Sequence, residues 1–346
     1  MIHKPNLLDL SFHQLEDILV RLGEPPFRAR QVWQWLWQKA AVSPLEMTNI
    51  SKELRSRLDE TSVIRAPRVA KCLESSDGTV KFLLELDPEA AIETVLIPEK
   101  GHYTQCLSTQ AGCAMACAFC RTGTMGLIRN LTHGEILGQV LVARAHLAAT
   151  GVALRLRNLV FMGMGEPLMN YKTLIQALES LHHPQGLDFS SRRITVSTAG
   201  IVPGILEFGR TGLGSLAVSL HAPTQSLREQ LMPKAARALP LDKLLQLLKR
   251  YPLKPRESIT FEYILLGGVN DSEHHARELV RLLSHVKGKI NLITYNESPN
   301  LSYRASTPEN TLAFQQILRD KGLTATLRKS KGRDISAACG QLAAGE

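Results

Sequence analysis

A chain of 346 residues, 44% of them hydrophobic, can bury one large core with a smaller attachment. No apolar run reaches the roughly 18 residues of a membrane span, and Met1-Ile2-His3-Lys4-Pro5 lacks a signal-peptide core, so a cytoplasmic protein with no membrane contact is expected. The formal charge of +9 points to a polyanionic partner, with a merely soluble basic protein as the plain alternative.

Residues 1–65 read as helical, with apolar residues at helical spacing over Phe12–Leu22 and Phe27–Ala40, split by a turn at Pro25 and Pro26. Trp33, Leu36 and Trp37 share one face and are read as core, with base stacking as the lesser alternative. Lys52–Asp59 extends the helical part. Strands follow at Thr79–Leu86 and Ile92–Ile97, joined hairpin-fashion by Asp87-Pro88-Glu89, and at His102–Ser108. The capping-box pattern Thr132-His133-Gly134-Glu135 opens a helix to about Ala148.

From there strand and helix alternate. Strands are expected at Asn158–Met162, Arg193–Ser197, Ser215–Leu220, Ser258–Leu265, Lys289–Tyr295 and Thr324–Lys329. Helices are expected at Tyr171–His182, Val202–Phe208, Ser226–Met232, Leu241–Arg250, Ser272–Val286 and Pro308–Lys321. The class is therefore α/β: a parallel sheet covered by helices, closed as a full or partial barrel, with a doubly wound open sheet left as the alternative. The basic residues are dispersed over Arg28 and Arg30, Arg55 and Arg57, Arg192 and Arg193, and Arg328-Lys329-Ser330-Lys331-Gly332-Arg333, which suits a broad RNA-facing surface better than a disordered arm.

The strongest single signal is the C-x3-C-x2-C triplet of Cys113, Cys117 and Cys120. Three thiolates can hold three corners of a four-iron cluster and leave the fourth iron open to a small molecule. A structural zinc site wants four ligands and paired C-x2-C spacing, and no Cys or His stands at finger-like distance; His102 and His133 are the nearest histidines. A disulfide framework fits a sparse set of 6 cysteines poorly, and inert buried thiols remain the bland alternative. Polar motifs also end several predicted strands: Gly163-Met164-Gly165-Glu166-Pro167, Ser197-Thr198-Ala199-Gly200, Ser219-Leu220-His221-Ala222 and Tyr295-Asn296-Glu297. Strand C-termini are where α/β folds place their sites, so a shared small-molecule site is expected there.

Together with Gln105-Cys106-Leu107-Ser108-Thr109-Gln110, the late Cys339 and the N-terminal Phe27-Arg28-Ala29-Arg30-Gln31-Val32-Trp33, these motifs resemble the RlmN/Cfr family of radical S-adenosylmethionine (SAM) RNA adenine methyltransferases. The resemblance covers essentially the whole chain, and no motif position departs from it. It implies a partial (β/α)6-type barrel: residues 1–70 a helical RNA-binding domain, 71–98 a β-hairpin linker, 99–334 the radical SAM core, and 335–346 a segment carrying Cys339.

The resemblance further implies a 4Fe–4S cluster on Cys113, Cys117 and Cys120, and SAM bound by Gly165, Glu166, Ser197, Ser219, Leu220, His221 and Asn296. It implies that Cys339 is methylated by one SAM, and that a deoxyadenosyl radical from a second takes hydrogen from that methyl. The carbon radical adds to adenine; Cys106 then forms a transient disulfide with Cys339 to release the base, and Glu93 accepts the ring proton. Read without the family, a strand glutamate is more often solvent-facing and a lone cysteine inert. Cys72 matches no family position and is read as structural.

The implied substrates are 23S ribosomal RNA and the tRNA adenine 3′ of the anticodon, modified at C2, with an electron donor such as flavodoxin and a monomeric chain. The family's second branch, which methylates C8 of the ribosomal adenine, is the alternative. A non-catalytic metal-stabilised RNA-binding protein and a protein-modifying radical enzyme are more distant ones.

Overall fold

The computed structural model describes residues 4–87, 90–202, 204–298 and 301–344. Its N-terminal helices are α1 (Phe12–Arg21), α2 (Phe27–Trp37) and α3 (Lys52–Thr61). Ser11 and Gln14 form a capping box at α1, and Ser51 caps α3 through Leu54 N–H. Leu15 and Leu19 of α1, Val32, Trp33, Leu36 and Trp37 of α2, and Leu54 and Leu58 of α3 are buried, as the helical spacing predicts. Helix α2 stops three residues before the expected end, and Ala40 takes a left-handed backbone at φ 51°. Trp35 lies on the other face, donating to Asn49 Oδ1 at 2.6 Å under the ammonium of Lys39.

These helices are fastened to α5 (His133–Ala149). The Trp37 ring meets His133 edge-on at 5.8 Å. His133 bonds Leu8 O at 2.6 Å and Ser180 Oγ at 2.8 Å, and Gly134 N–H donates to Asp9 Oδ1 at 3.0 Å. Burial pushes His133 down to about 4, so it is a neutral part of the joint. A Cβ on Gly134 would stand 2.8 Å from Leu8 Cβ, which explains the glycine.

Ten strands form one mixed sheet. Its antiparallel part is β1 (Arg68–Glu74), β2 (Val80–Asp87), β3 (Ala90–Glu99) and β4 (His102–Cys106). The expected hairpin turn at Pro88 and Glu89 lies outside the described residues. Seven parallel strands then run β4, β7 (Leu156–Phe161), β8 (Ile194–Thr198), β9 (Ser215–Ser219), β10 (Ile259–Leu265), β11 (Gly288–Thr294) and β12 (Ala325–Arg328). Between them lie α5, α6 (Tyr171–His182), α7 (Gly204–Thr211), α8 (Gln225–Leu231), α9 (Pro233–Ala238), α10 (Leu241–Lys249), α11 (Glu273–Leu283) and α12 (Pro308–Asp320). A small hairpin of β5 (Gln110–Gly112) and β6 (Leu127–Asn130) flanks the cysteine loop and the short α4 (Arg121–Thr124).

This strand order decides between the two expected architectures. A doubly wound sheet reverses its order at a switch point, but here every parallel step runs the same way. Successive right-handed crossovers then place the helices on one face. The sheet must also curl. At about 4.8 Å per strand, the six steps from β4 to β12 would span about 29 Å if flat. Yet Cys106 of β4 and Arg328 of β12 line one cavity. Among the described residues β12 pairs only with β11, so the curl stops short of closure. Residues beyond β12 lie along the seam: Lys331 Nζ donates to Pro98 O at 2.6 Å and Gly332 N–H to Asp77 Oδ2 at 2.9 Å. Among the described residues no helix is long and apolar enough to cross a membrane.

Candidate active site

The loop after β4 carries the three cysteines and is shaped by backbone constraints. Gly112 has φ 72°, and a Cβ there would meet Gly126 O at 1.9 Å, so only glycine lets β5 and β6 approach. Cys113 N–H donates to Gly126 O at 2.8 Å, and Ala118 N–H to Leu231 O at 2.9 Å. The Sγ-bearing side chains of Cys113, Cys117 and Cys120 all line one cavity, walled by the C-terminal ends of β7 to β12.

Burial pushes Cys113 up to about 11 and raises Cys117 and Cys120; Cys120 adds to the rise at Cys113, both add to it at Cys117, and Cys339 adds to it at Cys120. Three such groups ionise together only beside positive charge. Among the described residues no three His, Cys, Asp or Glu side chains close on a single ion. A four-iron cube takes one thiolate per corner, so separated thiols around one cavity fit it, and a one-ion site does not.

Glu166 organises the opposite wall. Its N–H donates to Gln110 Oε1 at 2.8 Å; its Oε1 accepts from Leu168 N–H at 3.1 Å and its Oε2 from Ala199 N–H at 2.7 Å. Burial pushes this carboxyl up, opposed by those donors and the Thr198 hydroxyl. Gly165, at φ 98°, lies where a Cβ would come within 2.5 Å of Gln110 Cβ. Ser197, Ser219 and His221 also line the cavity. His221 sits at φ 56°, and its Nδ1 accepts from Ile264 N–H at 3.1 Å, which leaves the proton on Nε2. Burial, helped by Arg228, pushes His221 down to about 3, so it is neutral.

Two expected SAM residues stand slightly apart. Leu220 is fully buried and does not line the cavity; its N–H donates to Glu262 O at 3.0 Å. Asn296 is buried, and its Nδ2 reaches Thr294 O at 3.4 Å and Cys339 O at 3.5 Å, while Oδ1 has no partner among the described residues.

Cys339 comes over this cavity from the seam. Arg121 N–H donates to Gly340 O at 2.9 Å, Thr122 Oγ1 to Leu342 O at 2.6 Å, and Gln341 Nε2 to Glu297 O at 2.9 Å. Cys339 lines both the three-thiol cavity and a smaller one that holds Cys106 and Cys120. The two thiols are free, and Cys106 is pushed up to about 12 by burial and then by Cys339.

Glu93 lines neither cavity. It is buried on β3, with Oε1 2.8 Å from Lys81 Nζ and Oε2 accepting from Ala343 N–H at 2.9 Å. Its strand register puts it on the same sheet face as Cys106, since Val95, two residues on, pairs with Cys106. Cys72 is exposed on β1 and lines neither cavity.

Three charged residues at the site escaped the sequence reading. Arg228 is fully buried, donating to Leu239 O at 3.0 Å and Ala199 O at 2.7 Å. Burial pushes it down to about 10, with Cys117 acting the other way. Glu262 is buried on the cavity wall, accepting from Asn291 Nδ2 at 2.7 Å. Arg328 lines both cavities, and its charge is favoured by Cys339 first and then by Glu262 and Cys106. Arg228 and Arg328 look like surface charges in sequence, and only the packing reveals them. Glu262, four residues into an apolar strand, was the one legible hint.

Comparison with known proteins agrees with this arrangement. Residues 5–64 match the ribosomal RNA large subunit methyltransferase N-terminal domain, and residues 107–280 match the radical SAM superfamily. A Solidesulfovibrio magneticus protein described as a dual-specificity RNA methyltransferase RlmN is 66% identical over 98% of this chain and 96% of its own length. One from Nitratidesulfovibrio vulgaris with the same description is 58% identical over 99% of this chain and 95% of its own length. The crystal structure of a radical SAM methyltransferase from Sphaerobacter thermophilus superposes with a TM-score of 0.92 at 42% identity, covering 99% of this chain and 100% of the other. With its N-terminal helices, cysteine loop and curled sheet all matched, the chain belongs to the RlmN family of radical SAM methyltransferases.

Proposed function

We propose that the chain methylates C2 of adenine in 23S ribosomal RNA and in tRNA, 3′ of the anticodon, with Cys339 as methyl carrier. The observation that carries this reading is the position of Cys339, which faces the three-thiol cavity on one side and Cys106 on the other. C2 of adenine is electron-poor and a bad nucleophile, so polar attack on a sulfonium methyl is unfavourable. Held by Cys113, Cys117 and Cys120, a 4Fe–4S cluster with SAM would supply the one-electron chemistry that avoids this step.

The chain's own residues do the rest. Glu166 keeps acceptor capacity on both oxygens beyond its two backbone donors and suits the SAM ammonium. His221 offers a neutral Nε2–H donor, and Leu220 only backbone. Gly165 allows close approach, Ser197 and Ser219 complete the polar lining, and Asn296 stands just behind it with its Nδ2 toward Cys339 O. Cys106, as thiolate, attacks the Cys339 sulfur; the S–S bond forms as the S–CH2 bond to the base breaks, its electron pair passes to the methylene carbon and the base, and a proton from solvent completes the methyl group. Glu93 accepts the ring proton, directly or through one water. A flavodoxin-class reductant, a cytoplasmic setting and a monomeric chain belong to the same reading.

Anaerobic reconstitution with methyl-labelled SAM and RNA tests the route: label is expected on both Cys339 and adenine, and label on adenine alone would overturn the carrier role. Mass spectrometry of RNA from a strain lacking the gene tests the ring carbon. Loss of 2-methyladenosine supports C2, whereas its persistence with loss of the 8-methyl isomer moves the reading to C8.

A further inference from the structure

We propose that Lys81 is a positioning residue that holds the proton acceptor Glu93 and the Cys339-bearing segment in one fixed relation; the proposal rests on the reading of Glu93 given above. The register across β2, β3 and β4 lines up Lys81, Val95 and Cys106 on one sheet face, with Glu93 beside them. The Lys81 ammonium is 2.8 Å from Glu93 Oε1 and donates to Ser336 O at 3.2 Å. The other oxygen of Glu93 accepts from Ala343 N–H at 2.9 Å.

Ser336 lies three residues before Cys339 and Ala343 four after it. One ion pair therefore grips the carrier segment on both sides of its thiol. The pair is well shielded, with side-chain exposures of 10% and 7%, so neither charge is at leisure to wander into solvent. Ser336 is itself at φ 51°, a left-handed turn that directs the chain toward Cys339.

The two grips are not equivalent. Each oxygen of Glu93 has one partner and keeps a second lone pair for an incoming proton, but taking that proton removes the charge that strengthens its bonds to Lys81 and to Ala343 N–H. Lys81 keeps Ser336 through that change, and so keeps Cys339 near both Cys106 and the cavity. Lys81 touches no reacting atom, and its effect is exerted through Glu93 and the backbone at Ser336.

Amide hydrogen exchange on the full-length chain, read by mass spectrometry over residues 336–343, tests this directly. Lys81→Met is expected to raise exchange there roughly tenfold and to slow methylation of Cys339 by a similar factor. Lys81→Arg, which keeps charge and donors, is expected to restore most of both. Because Lys81→Met strands a buried carboxylate, Lys81→Met/Glu93→Gln is measured beside it and is expected to melt near the parent while still exchanging fast. Parent-like protection over 336–343 in both Met variants overturns the proposal. The role of Glu93 is separable: Glu93→Gln, read by the fate of the RNA and not by the rate of Cys339 methylation, should accumulate a covalent RNA adduct. Prompt release there would remove Glu93 as the base and leave the exchange result standing.

Discussion

The two halves of the site are built by different means. The cysteine loop is fixed by backbone: the β5–β6 hairpin, a glycine that admits no side chain, and main-chain bonds such as Cys113 N–H to Gly126 O. The carrier segment after β12 has no helix or strand of its own among the described residues and is held largely by side chains: Lys81, Glu93, Thr122, Gln341 and the carboxylates of Asp77 and Asp334. A half held by backbone geometry stays put through a reaction. A half held by side-chain bonds can leave and return, which suits the proposed role of Cys339 in meeting SAM, RNA and Cys106 in turn.

The sharpest contrast comes from one cysteine in each half. Cys117→Ala is expected to abolish turnover and to lose the cluster, read as loss of iron and of visible absorption. Cys339→Ala is expected to abolish turnover equally while keeping the iron content and the absorption of the parent. If both variants lost iron, the two halves would not be separable and the comparison would fail.

A smaller effect concerns the joint between the N-terminal helices and α5. His133 is buried and its folded pKa is depressed to about 4, against about 6.5 when unfolded. The unfolded chain therefore binds the extra proton first. Stability is full above pH 6.5 and is lost as pH falls through the window toward 4, on the order of 3 kcal/mol in all. Urea unfolding between pH 7 and 4.5 checks this, and His133→Gln should flatten the acid limb relative to the parent. His221 titrates in the same direction, so the difference between the two curves isolates His133.

The smallest effect is expected at the outer clip of the carrier segment. Asp334 Oδ1 accepts from Ser75 Oγ at 2.6 Å and its Oδ2 from Ser76 N–H at 3.1 Å. Asp334→Ala should speed exchange over residues 332–338 several-fold and leave the cysteine loop unchanged. These donors hold its carboxyl below the usual range, as Thr79 and Gly332 do for Asp77 against the opposing effect of burial. The stability each clip contributes is therefore full above the ordinary carboxylate pKa and is lost as pH falls on through the depressed value.

How much of this was legible follows the same division. The parallel strands and their helices are long, apolar and periodic, and the sequence placed Tyr171–His182 to the residue. The outer strand β1 was missed because it is exposed along nearly its whole length and shows no alternation. The β5–β6 hairpin was missed because strands of three and four residues carry no period. Helix α9 was missed behind Pro233, which sits at its first position. The cysteine loop and the polar strand ends were visible as motifs. The grip of Lys81 on Ser336 joins residues 255 apart, and no local pattern encodes such a contact. Arg228 likewise reads as an ordinary helix charge until packing buries it.

What sets the proposed chemistry apart is the pairing of Cys339 as carrier with Cys106 as release thiol. The direct measurement is Cys106→Ala incubated with SAM, reductant and RNA, followed by digestion and mass spectrometry. The expected result is a stable covalent enzyme–RNA adduct, with the link mapped to Cys339. Free methylated RNA at the parent rate, with no modified peptide, would contradict it.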